Sequence, residues 1–350
     1  MNHTLKSEEI ALFQKKFGNS PVSVCPIPKS GSDRAYFRIY GPEGESAILC
    51  RSGNIEENKV FVRLCRAFFS QGANVPEILA VSPDCSFYLQ TDLGSQSLFD
   101  LVTGKEIGEG GVKTLSTEAR RLVESSLDSL VSLQSLPSGV WEKEVGFPPL
   151  GLDLIEYDFR YFMSQFVERA SVDFDVISVG KELKKFGSVL SRYPSEVSGF
   201  MFRDFQSRNV MIRDVIENGY QTSKPFFIDF QSGRRGPCVY DLVSFVWQAK
   251  AAYTEEEREC FIHRYVERYS RINGVREDTL LEMIPLWALF RVMQVLGAYG
   301  LRGLKEKKKH FIESIPFAVK NLRDLLSSPV LSPYSALREL SESLFHKFLL

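Results

Sequence analysis

Residues 202–212 read Phe202-Arg203-Asp204-Phe205-Gln206-Ser207-Arg208-Asn209-Val210-Met211-Ile212, and a second block follows as Phe226-Phe227-Ile228-Asp229-Phe230-Gln231. Three side chains stand out: Asp204, Asn209 five positions later, and Asp229 twenty beyond that. Asp204 is a carboxylate on a loop, able to accept a hydroxyl proton. Asn209 offers a neutral amide oxygen. Asp229, at the end of an apolar run that reads as a buried strand, offers an anionic one. Two such oxygens suffice for Mg²⁺, which keeps few protein ligands and completes its shell with phosphate and water.

That spacing suits phosphoryl transfer. The transferred group needs little covalent help, so catalysis reduces to holding an acceptor hydroxyl in line and neutralising charge. An Asp, four arbitrary residues and an Asn, then a strand ending in Asp-Phe, is the catalytic-loop and metal-loop pattern of the kinase fold. Together with Gly236-Pro237-Cys238-Val239-Tyr240-Asp241-Leu242, these blocks resemble the aminoglycoside/choline phosphotransferase superfamily. Within it the chain is most similar to the bacterial cell-wall amino-sugar kinases, which phosphorylate the anomeric hydroxyl of N-acetylmuramate or N-acetylglucosamine. The similarity is clearest from about Ser30 to about Lys250.

The resemblance implies an α+β, protein-kinase-like, two-lobed fold. A small antiparallel-sheet N-lobe over residues 1–93 would bind nucleotide, and a larger, mainly helical C-lobe over 94–350 would carry the catalytic loop and the acceptor site. It implies ATP and Mg²⁺ as cofactors, Asp204 as the catalytic residue, Asn209 and Asp229 as metal ligands, and a sugar 1-phosphate as product. Gln206 stands where many relatives carry His, and Phe202 where an aromatic or His is usual; both bear on the acceptor more than on the chemistry.

The bulk composition agrees with a globular enzyme. At 350 residues the chain is long enough for two lobes, and its 44% hydrophobic and 25% charged content is ordinary. Lys and Arg number 43 against 44 Asp and Glu, a net charge of -1, so no global field draws nucleic acid or an anionic membrane. The six cysteines and four histidines lack zinc-ligand spacing and any disulfide framework, which favours reduced thiols and a cytoplasmic setting. Residues 1–17 mix Lys and Glu with apolar side chains, unlike a signal peptide. No apolar run of about 18 residues is seen, so no membrane span is expected.

Along the N-terminal part, residues 4–17 read as an amphipathic helix ahead of the site. Strands are expected over 22–27 and 35–40, joined by Lys29-Ser30-Gly31-Ser32-Asp33-Arg34. Exposed backbone N–H groups in such a turn suit phosphate, so Gly31, Ser32 and Arg34 are candidate nucleotide contacts, with Arg38 a further cation. The next strand, Ala47-Ile48-Leu49-Cys50-Arg51, is where the fold usually places a Lys on the α and β phosphates, and no Lys stands there. Arg51 substitutes, cations of the phosphate loop substitute, or ATP is held weakly; the sequence leaves all three open. A helix over 56–70 follows, with Glu56 or Glu57 placed either to pair with that cation or to favour the helix N-terminus. Strands over 75–81 and 87–90 lead to Thr91-Asp92-Leu93, the hinge whose backbone would meet adenine.

Farther on, the second part of 98–115 reads as a surface loop, and 116–136 as a helix capped by Ser116 or Thr117. The acid-and-aromatic cluster over 151–166 is chiefly a helix with buried aromatics, and Asp158 is kept as a candidate acceptor contact together with Arg208 and Arg234. Asp241 braces the catalytic loop in the resembling superfamily. A helix over 286–304 is expected, with Pro285 in its first turn. The acceptor is a small molecule; the Arg-rich surroundings of the loop favour a sugar over the cationic acceptors of aminoglycoside or choline kinases. A catalytically silent binding module is the rival, and it leaves the Asp, Asn and Asp unexplained.

Overall fold

Strict alternation of side chains builds the sheet of the N-terminal part. In a computed structural model describing residues 5–28, 34–107 and 113–350, β1 (Ser23–Ile27), β2 (Ala35–Tyr40), β3 (Ser46–Arg51), β4 (Ile78–Val81) and β5 (Phe87–Thr91) lie in the order β1-β2-β3-β5-β4. Every neighbouring pair is antiparallel. Phe37 pairs with Leu49, Leu49 with Leu89, and Ile39 with Ala47, so these residues share one face. With Phe87 they close over Phe13 of helix α1 (Ser7–Phe17), forming one buried apolar cluster. Full burial of a ring such as Phe13 is worth about 1.5–3 kcal/mol.

The other face carries Tyr36, Cys50 and Tyr88, again in register across three strands. Helix α2 (Ile55–Ser70) covers it. Asn54 caps α2, its side-chain oxygen accepting the Glu57 N–H. Phe61 of α2 stacks on Tyr88 with ring centroids 5.5 Å apart.

These elements belong to the first of two compact units, which comprises Met1–Leu98, Leu136–Phe147 and Arg208–Gly233. Its last segment is a hairpin of strands Val210–Glu217 and Tyr220–Phe227. The second unit, Phe99–Ser135, Pro148–Ser207 and Arg234–Leu350, is mainly helical. Its one described strand pair of functional interest sets Ser198–Met201 against Arg234–Pro237. A five-stranded antiparallel sheet followed by a mostly helical C-terminal part is the α+β arrangement that the sequence implied.

Residues 98–103 form a short helix; in the second part of 98–115, which the sequence reads as a surface loop, Glu106–Ile107 pairs with Lys113–Thr114, and 108–112 lie outside the described residues. The long C-terminal helix runs Glu277–Tyr299, so Pro285 lies inside it rather than in its first turn; Glu277 and Asp278 provide the acidic first turn instead. With its continuation to Lys305 this helix is long and apolar enough to cross a membrane, but 67% of its apolar window is buried within the protein, as in a core helix. Its continuation Gly300–Lys305 and the segment Met163–Val167 are both π-helical turns, and they touch. Gly300 permits the contact, since an added Cβ would collide with the Gln165 carbonyl oxygen.

Alternation also settles Arg51. It lies on the same face of β3 as Leu49, toward α1, and its guanidinium grips the fully buried Glu9 through Nε and Nη2, both at 2.7 Å. Glu9→Gln removes one anionic partner of a bidentate, charge-assisted pair. The variant is expected to lose about 1–3 kcal/mol of unfolding free energy. A urea midpoint equal to that of the parent would show that the pair carries no weight.

Candidate functional site

In the second unit the loop after Ser198–Met201 is held from beneath by helix Val239–Val246. The carboxylate of Asp241, fully buried, accepts the Phe202 N–H at 2.7 Å and the Arg203 N–H at 2.9 Å. Gln134 donates its side-chain amide to the same carboxylate at 3.0 Å and is itself fixed by Tyr265. Phe202 and Phe205, both fully buried, anchor the loop in the core, their rings 5.4 Å apart. Farther along, Gln248 accepts both the N–H and the hydroxyl of Ser207.

Between those anchors Arg203 adopts a φ of 75°, a left-handed conformation unusual for a residue with a long side chain. The surroundings over-determine it. Its N–H is tied to Asp241, and its guanidinium meets Asp158 at 3.1 and 3.3 Å. The outcome is that Asp204 is lifted to a half-exposed position, its side chain 45% accessible. Arg291, buried in helix Glu277–Tyr299, donates to Asp204 Oδ1 at 3.0 Å, and its other amino group meets Tyr240 and Gln294. A residue 87 positions downstream therefore fixes the loop carboxylate.

Asp158 is 2% exposed and committed to Arg203, which leaves it under the loop rather than open to an acceptor. Burial raises its carboxyl above the ordinary range against the pull of Arg203. Arg234, opposite Met201 in the strand pair, is also buried. Burial, with Arg203 nearby, brings its guanidinium down to about 10.

The chain enters the first unit at Arg208, which is exposed. Asn209 follows in a short 3-10 turn, and its carbonyl accepts the Ile228 N–H at 3.0 Å. Asp229 then adopts a φ of 67°, a conformation that Asp tolerates better than most residues. Phe230 wedges behind it, its centroid 4.9 Å from Phe61 and 5.6 Å from Phe68 of α2. Gln231 donates to Asp229 Oδ1 at 2.8 Å. Arg34, immediately before β2 and 3% exposed, reaches the same oxygen at 3.5 Å and Glu57 of α2 at 2.9 Å.

The other nucleotide candidates separate clearly. Gly31 and Ser32 lie outside the described residues. Arg51 is engaged with Glu9 on the opposite sheet face. Asp92 fixes the turn after β5, accepting from Arg38 at 2.8 and 3.1 Å and from the Gly94 N–H at 3.0 Å. The Thr91 N–H is committed to the Glu77 carbonyl, and Leu93 is buried.

Asn209 and Asp229 together offer oxygen donors only, and among the described residues no three His, Cys, Asp or Glu side chains gather as a metal nest. That set suits a hard divalent cation that takes most of its ligands from phosphate and water. Arg291, Gln134 and Gln248 escaped the sequence reading. The one available signal was Arg291, a lone cation within the apolar run of its helix.

Burial pushes the Asp241 carboxyl from the ordinary 3.8 up to about 7, against the pull of its three donors. The folded protein thus retains a proton that the unfolded chain releases. This contribution to stability is complete below about pH 3.8 and is lost as the pH rises to about 7. With Asp241→Asn the slope disappears. Urea unfolding of both proteins across that window is expected to show the parent-minus-variant difference falling with rising pH; a flat difference contradicts the assignment.

Residues 23–280 match the phosphotransferase enzyme family. An N-acetylmuramate/N-acetylglucosamine kinase of Pseudomonas aeruginosa is 22% identical over 303 residues, covering 85% of this chain and 81% of its own. Its namesake in Neisseria meningitidis serogroup B is 24% identical over 303 residues, with 83% and 81% covered. The solved GDP and kanamycin complex of APH(2″)-IIIa aligns with a TM-score of 0.58 at 15% identity, covering 90% of this chain and 98% of that one, a likeness of fold.

Proposed function

We propose that this chain, which belongs to the phosphotransferase enzyme family, moves the γ-phosphoryl group of ATP onto a hydroxyl of an amino sugar and releases a sugar 1-phosphate. Asp204 accepts the proton of the acceptor hydroxyl. The hydroxyl oxygen forms the new bond to the γ-phosphorus, the bond from that phosphorus to its bridging oxygen breaks, and ADP leaves. Arg291 keeps the carboxylate aimed, as its 3.0 Å contact supports. Asn209 and Asp229 would hold Mg²⁺, which when bound neutralises charge on the triphosphate.

The observation that carries this reading is the Ile228 N–H bond to the Asn209 carbonyl, which brings two oxygen donors twenty positions apart to neighbouring backbone. Adenine would meet the backbone of Asp92 and Leu93, Thr91 being already paired. Gly31 and Ser32 are retained as phosphate-loop contacts. Arg208 and Arg234 remain candidates for the acceptor, whereas Asp158 serves Arg203. An ATP-dependent reaction of this type carries a cytoplasmic setting with it, and residues 1–93 and 94–350 are the proposed nucleotide and acceptor lobes.

ATP consumption with Mg²⁺ is to be measured across N-acetylated sugars, aminoglycosides and choline, with the phosphorylated atom located by NMR. Turnover is expected with an N-acetylated sugar at its anomeric oxygen; turnover confined to aminoglycosides or choline overturns the acceptor assignment. Asp204→Asn is expected to lower turnover about 100- to 10,000-fold while nucleotide affinity holds. Parent-level turnover in that variant removes Asp204 as the base. Asp229→Asn is expected to weaken binding of Mg²⁺ with ATP, and undiminished affinity would take it out of the metal site.

A further inference from the structure

The strand residue that ordinarily grips the α and β phosphates is missing from β3, and the geometry of the first unit shows which cation stands in for it. Resting on the phosphotransferase reading above, we infer that Arg34, lodged between Glu57 of α2 and Asp229, is the residue that holds the nucleotide's phosphates.

The argument begins with sheet parity. Side chains alternate between faces, so on β3 Ser46, Ile48 and Cys50 share the α2 face and none is a cation, while Ala47, Leu49 and Arg51 point toward α1. Arg51 is thus on the wrong face, and Glu9 holds it there. Arg34 immediately precedes the adjacent strand, two residues before Tyr36, which pairs with Cys50 on the α2 face. Its contact with Glu57 of α2 sets it on that same face.

Its partners support the exchange. In kinases the phosphate-gripping Lys is paired with a Glu of the helix that packs on the sheet. Here Arg34 Nη2 stands 2.9 Å from Glu57 Oε1, and Arg34 Nη1 stands 3.5 Å from Asp229 Oδ1. Arg38, the other cation on this face, is taken up by Asp92 and the Gly94 carbonyl. Lys59 of α2 is paired with Glu56 at the surface.

A guanidinium also has donors to spare. Arg34 carries five N–H donors in a fixed fork. The Tyr36 hydroxyl lies beside the guanidinium, yet Nε and Nη2 are both buried without an acceptor in hydrogen-bond geometry among the described residues, the Glu57 contact being an ion pair. An orphaned, charged donor in a 3% exposed side chain is costly unless something else completes it. Phosphate oxygens match the planar fork better than a single-point acceptor does. Asp229 then has two tasks: it supplies an oxygen to the metal, and it anchors the cation that faces the same phosphates.

Calorimetric titration of the parent, Arg34→Gln and Arg34→Lys with ATP, ADP and adenosine, in the presence of Mg²⁺, tests this without any acceptor. Arg34→Gln is expected to weaken ATP and ADP about tenfold or more and to leave adenosine unchanged; Arg34→Lys recovers part of the loss. Glu57→Gln, which leaves the cation in place but unmoored, is expected to give a smaller loss with the same preference for phosphorylated ligands. It keeps the question answerable if Arg34→Gln does not fold. ATP affinity in folded Arg34→Gln equal to that of the parent, or an equal loss for adenosine, overturns the inference while leaving the phosphotransferase reading intact. A parent that binds adenosine nucleotides not at all sinks that reading, and this inference with it.

Discussion

The Asp241 carboxylate takes the N–H groups of Phe202 and Arg203 on its two oxygens, with Gln134 as third donor, entirely out of contact with water. Every other property of the loop follows from that clamp. Backbone N–H groups tied to a buried acceptor cannot turn over, so Arg203 stays in a left-handed conformation that its own side chain disfavours. The guanidinium is then directed to Asp158, and the next residue, Asp204, comes out toward solvent within reach of Arg291. Removing one member of such a buried polar set leaves the others unsatisfied, which is why the set acts as a unit.

The two units use strain in the same way. Asp229 in the first and Arg203 in the second both hold positive φ, and each is pinned by a ring on its C-terminal side: Phe230 against α2, and Phe205 one residue beyond Asp204. Apolar burial therefore adds to the hydrogen bonds that hold each stretch of backbone. Polar groups aim the side chains afterwards, as Gln231 does for Asp229 and Arg291 for Asp204.

Much of this was legible in the chain itself. Asp204, Asn209 and Asp229 are readable because loop and strand chemistry is local: a short spacing and an apolar run fix what each residue is. The sheet and α2 follow from period-two and helical patterning. What the sequence could not convey was which distant side chain meets which. Arg51 looked like the nearest cation to the vacant lysine position, but only strand parity together with the arrival of Glu9 on α1 shows that it faces away. Asp158 looked available to a ligand because Arg203, forty-five positions on, is invisible from its neighbourhood. Arg291 sits in an apolar helix whose start was itself misplaced, since a proline within a helix reads locally as a beginning.

The paired wide turns at Met163–Val167 and Gly300–Lys305 restrict what either segment can accept. A π-turn bonds i to i+5, so its backbone is wider than that of the α-helix it interrupts or ends. Because the two segments meet at Gly300, where an added Cβ would run into the Gln165 carbonyl oxygen, any side chain at that position drives the two backbones apart.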